Sequence, residues 1–137
     1  MDSMDSRDRG DRRAIRIVDV PDPVNPYSRA IVHDGLVYLS GIVPADLGTG
    51  ELMGVDIRTQ TRAVFEIMQR VLEAAGSDLG ALLKVSVSLI DAGDFGGMNE
   101  VYREFVPTPY PARTTVTVAA LGRPEFLVEI DAIARQG

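Results

Sequence analysis

Apolar and polar positions repeat with two different periods along this chain, and the switches between them mark its elements. Ile15 and Ile17 alternate with polar neighbours in the stretch 15–20, which predicts an edge-type strand. Pro21, Pro23 and Pro26 then break regular structure. Two short apolar runs, 27–33 and 36–40, flank Asp34-Gly35, a pair that suits the positive φ values of a type I′ hairpin turn. From Asp56 to Gly76 the spacing changes to threes and fours. Ile57, Thr61, Val64, Ile67, Met68, Val71, Leu72 and Ala75 mark one face of a helix there. Asp56 suits its N-cap, and Gly76 suits the left-handed position after its end. Period two returns over 82–90, where Val85, Val87 and Leu89 alternate with Ser86 and Ser88. A shorter helix is predicted over 94–105, with Phe95, Met98, Val101, Tyr102 and Phe105 as its apolar stripe and prolines at 107, 109 and 111 closing it. Strands are expected over 113–120 and 126–134, joined by a turn at 122–125.

The order β-β-β-α-β-α-β-β predicts an α+β fold with both helices on one face of a mixed sheet. The other face still carries Val, Thr and Leu side chains, so a trimer or another ring of subunits is expected to cover it. A chain of 137 residues fits one domain, here 14–137. Residues 1–13 alternate Asp and Arg with Ser and Gly and read as a disordered N-terminal tail.

Composition removes several functions. A formal net charge of -6, with one lysine and scattered arginines, argues against nucleic acid as a partner. The absence of cysteine excludes disulfides, thiolate zinc sites and cysteine nucleophiles. The single histidine, His33, reads as a polar turn residue, and no cluster of metal ligands is visible, so no metal is expected. Gly48, Gly50 and Gly54 do not match a dinucleotide fingerprint, and no cofactor is expected. No run approaches the roughly 20 apolar residues of a membrane span. The start lacks the apolar core of a secretory signal, and the protein reads as cytoplasmic.

Two residues could carry chemistry. Arg113 opens a strand after Pro111-Ala112, on the same face as Thr115 and Thr117. It is either a surface arginine at a strand start or a bidentate clamp for a carboxylate. Glu129 sits between Val128 and Ile130, on the face shared with Leu127, Asp131 and Ile133. It is either solvated or, if buried beside a pocket, a carboxylate whose raised pKa lets it move a proton. Together the two suit hydrolysis of a C=N bond beside a carboxylate.

The chain resembles the RidA family of reactive-intermediate deaminases, also called YjgF or L-PSP proteins, from about Asn25 to Ala134. The matching words are Asn25-Pro26-Tyr27-Ser28-Arg29, Ser40-Gly41, Asn99-Glu100-Val101-Tyr102, Pro111-Ala112-Arg113-Thr114-Thr115 and Val128-Glu129-Ile130-Asp131. The resemblance implies a chorismate-mutase-like fold and a homotrimer with active sites in clefts between subunits. It implies an enzyme that hydrolyses enamines and imines of small carboxylic acids, of the 2-aminoacrylate type, to 2-keto acids and ammonia. By position, Arg113 is the carboxylate clamp and Glu129 positions the attacking water, which requires both to face one cleft. Tyr27, Gly41 and Thr115 line the substrate pocket. Ile42, Ile67 and Gly122 depart from the family's usual Gln, Asn and Pro, and they point to a subgroup with another enamine or imine substrate. The alternatives are a trimer that binds small carboxylates or protects proteins without catalysis, and an endoribonuclease. The acidic balance and the lack of a histidine pair count against the last.

Overall fold

The structure is a computed structural model and describes residues 11–137. Among the described residues six strands and two α-helices follow in the expected order: β1 (Arg13–Ala14), β2 (Ala30–His33), β3 (Leu36–Ile42), α1 (Ile57–Ala74), β4 (Leu82–Leu89), α2 (Phe95–Phe105), β5 (Ala112–Thr117) and β6 (Val128–Arg135). They build one sheet in the order β1-β2-β3-β6-β4-β5. Only β4 and β5 run parallel, because α2 carries the chain back between them. The sheet is therefore mixed, and the molecule is an α+β domain.

The hairpin between β2 and β3 turns on Asp34 and Gly35, whose φ angles are 51° and 76°. These are the left-handed values a two-residue primed turn demands. Asp56 caps α1 through a capping box: its carboxylate accepts from the Thr59 backbone N–H at 2.8 Å. The other end closes in a Schellman arrangement, Ser77 N donating to Leu72 O and Gly76 N to Glu73 O.

On β3, β4 and β6 the inward face of the sheet is apolar. Val37 and Leu39 of β3, Val85, Val87 and Leu89 of β4, and Val128, Ile130, Ala132 and Ala134 of β6 are all buried. They meet Val64, Phe65, Met68 and Leu72 of α1, with Met98 and Val101 of α2, in one core. The outward face carries Leu36, Tyr38, Ser86, Ser88, Thr114, Val116, Glu129, Asp131 and Ile133, none of them buried. Its Val, Thr and Leu side chains are the uncovered set expected from the pattern.

Three boundaries differ from the sequence reading. The strand expected over 15–20 does not form. Pairing with β2 is confined to Arg13 and Ala14 plus one bond from Ile15 N to Ala30 O, and the chain then leaves the sheet through a turn with Asp19 at φ 65°. Ile15 and Ile17 still pack against the core, so their alternation recorded burial rather than a strand. Residues 27–29 are loop, because Asn25 to Tyr27 closes a tight turn (Tyr27 N to Asn25 O, 2.8 Å) before β2 starts. The strands expected to reach 120 and to start at 126 are shorter, since 118–127 is irregular. Of the tail expected over 1–13, residues 1–10 lie outside the described part, and Arg13 pairs with Val32 in the sheet.

Candidate functional site

The expected site residues fall into two groups on opposite faces of the sheet. Arg113 stands beside Val85 in the parallel register of β4 and β5, and Thr115 stands beside Val87. Both therefore point to the helix side. Glu129 stands beside Ser88, on the outward side. One copy of the chain does not bring Arg113 and Glu129 to a common cleft, so a cleft holding both must be assembled from two copies.

The Arg113 group lies at the sheet edge, beneath α2. The guanidinium sits 4.7 Å from the centre of the Tyr102 ring and 5.6 Å from that of Phe95. Its Nη1 donates to Asn99 Oδ1 at 2.8 Å. Among the described residues no carboxylate pairs with it. An arginine held by aromatic faces and one amide, with no acid of its own, keeps most of its five donors for an incoming anion. A cavity of about 220 Å³ opens beside it, lined by Asn99, Tyr102, Arg103, Tyr110, Pro111 and Arg113. The Tyr102 hydroxyl and Thr115 Oγ1 are buried and have no hydrogen-bond partner. Burial pushes the Tyr102 pKa up, and the Arg113 charge opposes that shift. Orphaned buried polar atoms are costly in a folded protein, and a ligand or water that meets them removes the cost.

The Glu129 group is built by a bulge. Between Leu39 and Ile42 the register of β3 against β6 slips, so that Ser40 and Gly41 both escape the inward face. Ser40 is fixed there by its hydroxyl, which donates to Ser28 O at 2.6 Å. Gly41 lies directly over Glu129: a Cβ added to it would overlap the Glu129 carboxylate. A glycine is needed for that approach. Burial raises the Glu129 pKa above its ordinary value, and the neighbouring Asp131 charge adds to the rise. Asp131 is itself shifted up by burial, which Lys84 opposes.

Tyr27 and Gly41 border a second cavity of about 430 Å³, between the loops 21–29 and 43–50. Ile42 and Ile67, two of the positions departing from the family pattern, line this cavity, together with Leu47 and Val71. Both isoleucines are buried, so they make its wall apolar.

The geometry adds residues that the spacing alone did not single out. Asn99, Tyr102 and Arg103 fall at i, i+3 and i+4 on α2 and so share one face of that helix. The trace in the sequence was an Asn and an Arg flanking the apolar stripe of a helix that precedes Arg113. Tyr110 lies between the prolines that follow α2 and carries no signal of its own in the sequence. His33, at the hairpin, contacts Asp34 and the backbone of Asp11 and takes no part in either group.

Comparison with known proteins places the sequence and the fold. A sequence profile of the family described as Endoribonuclease L-PSP matches residues 18–136. A RutC family protein of Pyrococcus horikoshii is 45% identical over 114 residues, covering 83% of this chain and 90% of that protein. The human 2-iminobutanoate/2-iminopropanoate deaminase is 34% identical over 126 residues, covering 92% of this chain and 91% of its own. The crystal structure of RidA from an Antarctic Psychrobacter superposes with a TM-score of 0.82 at 38% identity, covering 90% of this chain and 98% of that one. The profile match over almost the whole described chain, with relatives of this similarity, makes the protein a member of the Endoribonuclease L-PSP family, to which the RidA proteins belong.

Proposed function

We propose that the protein is a cofactor-free deaminase of enamines and imines of small carboxylic acids, working as a homotrimer in the cytoplasm. One observation carries the proposal. Arg113 is a half-buried guanidinium in a cavity, braced by two rings and an amide, with no carboxylate among the described residues to neutralise it. Such a group is a receptor for a carboxylate. The name of the human relative as a deaminase supplies the reaction class.

The chemistry divides between two subunits. Arg113 of one copy holds the substrate carboxylate and so fixes the adjacent C=N carbon. Glu129 of a neighbouring copy, turned outward under Gly41, accepts a proton from water as the oxygen bonds to that carbon. The π electrons move to nitrogen, which takes up a proton. The hydroxyl proton of the resulting carbinolamine then passes to the nitrogen, and the C–N bond breaks with that nitrogen leaving as ammonia. A 2-keto acid and ammonia leave, with one water consumed. An enamine enters the same route after a proton adds to its β-carbon. Tyr27 and Thr115 shape the walls of the substrate pocket.

Cleavage of RNA, which the family description evokes, is disfavoured by the net charge of -6. The test is ammonia release from 2-iminopropanoate generated in situ. Arg113→Ala is expected to lower kcat/KM by about a hundredfold or more, because the substrate loses its charged partner. Turnover at the wild-type rate in a folded Arg113→Ala protein would overturn the proposal.

A further inference from the structure

The cavity beside Arg113 contains a second cation that the deamination chemistry does not use. Arg103 lies one turn along α2 from Asn99 and lines the same 220 Å³ space. The other charged side chains nearby on α2 are already engaged. Glu100 pairs with Arg58 and Glu104 pairs with Arg62, both across to α1. Among the described residues Arg103 makes no ion pair. The cavity lining thus holds two guanidinium groups, one amide, two tyrosines and no acid. In a protein of net charge -6 this is a local reversal of sign. A positive charge in the last turn of α2 also suits the helix dipole, but that role does not require the side chain to border a cavity.

Arg113 is half-buried at this space and Arg103 is exposed at its rim, so an anion between them meets two positive charges. A single carboxylate on Arg113 leaves the second charge unanswered. Tyr102 forms part of the same wall. The space is smaller than the roughly 300–1,000 Å³ of drug-sized ligand sites, which suits a short metabolite.

We propose that Arg103 receives a second, distal carboxylate, and that the preferred substrates are the enamines or imines of short dicarboxylic amino acids. This rests on the deaminase reading for the reaction, and on the cavity alone for the ligand class. Arg113 keeps the carboxylate next to the C=N carbon, and Arg103 takes the far one. The reaction must therefore be supplied by an oxidation or elimination acting on an acidic amino acid, and it yields a 2-keto dicarboxylic acid.

The experiment compares kcat/KM for iminosuccinate and 2-iminopropanoate, made in situ by amino-acid oxidases from aspartate and alanine, in the wild type and Arg103→Gln. The wild type is expected to favour iminosuccinate, and the ratio of the two kcat/KM values is expected to fall at least about fivefold in the variant. A wild-type ratio at or below one, or a smaller fall, overturns the proposal. Calorimetric binding of oxaloacetate and pyruvate separates the two readings if neither imine turns over. Tighter binding of oxaloacetate, lost in Arg103→Gln, upholds the dicarboxylate site while the deaminase reading fails. Equal binding of the two keto acids rejects the dicarboxylate site as well.

Discussion

Glu129 shows how one residue's surroundings set its chemistry. Its carboxylate is turned to the outward sheet face, beneath a glycine, and burial with the Asp131 charge raises its pKa above the ordinary 4.5. As a base it must be ionised, so activity is expected to rise with pH through a midpoint above 4.5, and Glu129→Gln is expected to remove that limb along with most of the rate. The same shift has the opposite sign for stability. A carboxylic acid whose pKa is higher in the folded chain binds more protons folded than unfolded, so stability falls as pH climbs from the unfolded value through the folded one. Urea midpoints measured from pH 4.5 upward are expected to decline less in Glu129→Gln than in the wild type. Asp131, shifted the same way, leaves part of the slope. An identical decline in both proteins would place Glu129 in bulk water. Gly41→Ala tests the other side of the contact. The new methyl displaces the carboxylate, and a misplacement on the order of 1 Å costs about a hundredfold in rate. Steady-state kinetics of that variant at wild-type values would detach Gly41 from the site.

At the scale of elements, the helices were legible and the connections were not. The three- and four-residue spacing of α1 and its two caps follow from residues adjacent in sequence, and the structure reproduces them. Asp34-Gly35 was equally local. The bulge at Ser40-Gly41 was not, because it depends on how β3 aligns with β6, a strand some ninety positions later. Period two read Arg113 and Glu129 each onto the right side of its own strand. It could not relate the two strands, so it missed that the sides are opposite. Gln60 is a further example. It reads as a polar position on a helix, yet it is buried, accepts from Leu127 N at 2.8 Å and donates to Glu125 O at 2.8 Å. It thereby fastens α1 to the irregular stretch that leads into β6. Gln60→Ala leaves a buried donor and acceptor unpaired, and it is expected to cost about 1–3 kcal/mol in urea unfolding. A change under about 0.5 kcal/mol would mean that water replaces the amide.

For the whole molecule, the uneven faces of the sheet are the main fact. One side is sealed by α1 and α2. The other exposes Tyr38 and Val116, with Ile133 half-buried, among serines and carboxylates. Sequence alternation foretold that imbalance, and the resemblance to RidA proteins supplied the trimer as its remedy. The two-sided placement of Arg113 and Glu129 gives the proposed assembly a chemical purpose besides burial: a site that uses both residues needs a second copy. Mixing two inactive proteins therefore tests the division of labour directly. Arg113→Ala and Glu129→Gln, each expected to be nearly inactive alone, are unfolded together and refolded to allow random assembly. If each site takes Arg113 from one subunit and Glu129 from its neighbour, about one interface in four of a mixed ring joins two intact partners, and ammonia release returns to roughly a quarter of the wild-type rate. Mixed oligomers that form but show no more activity than the separate variants would contradict the shared site.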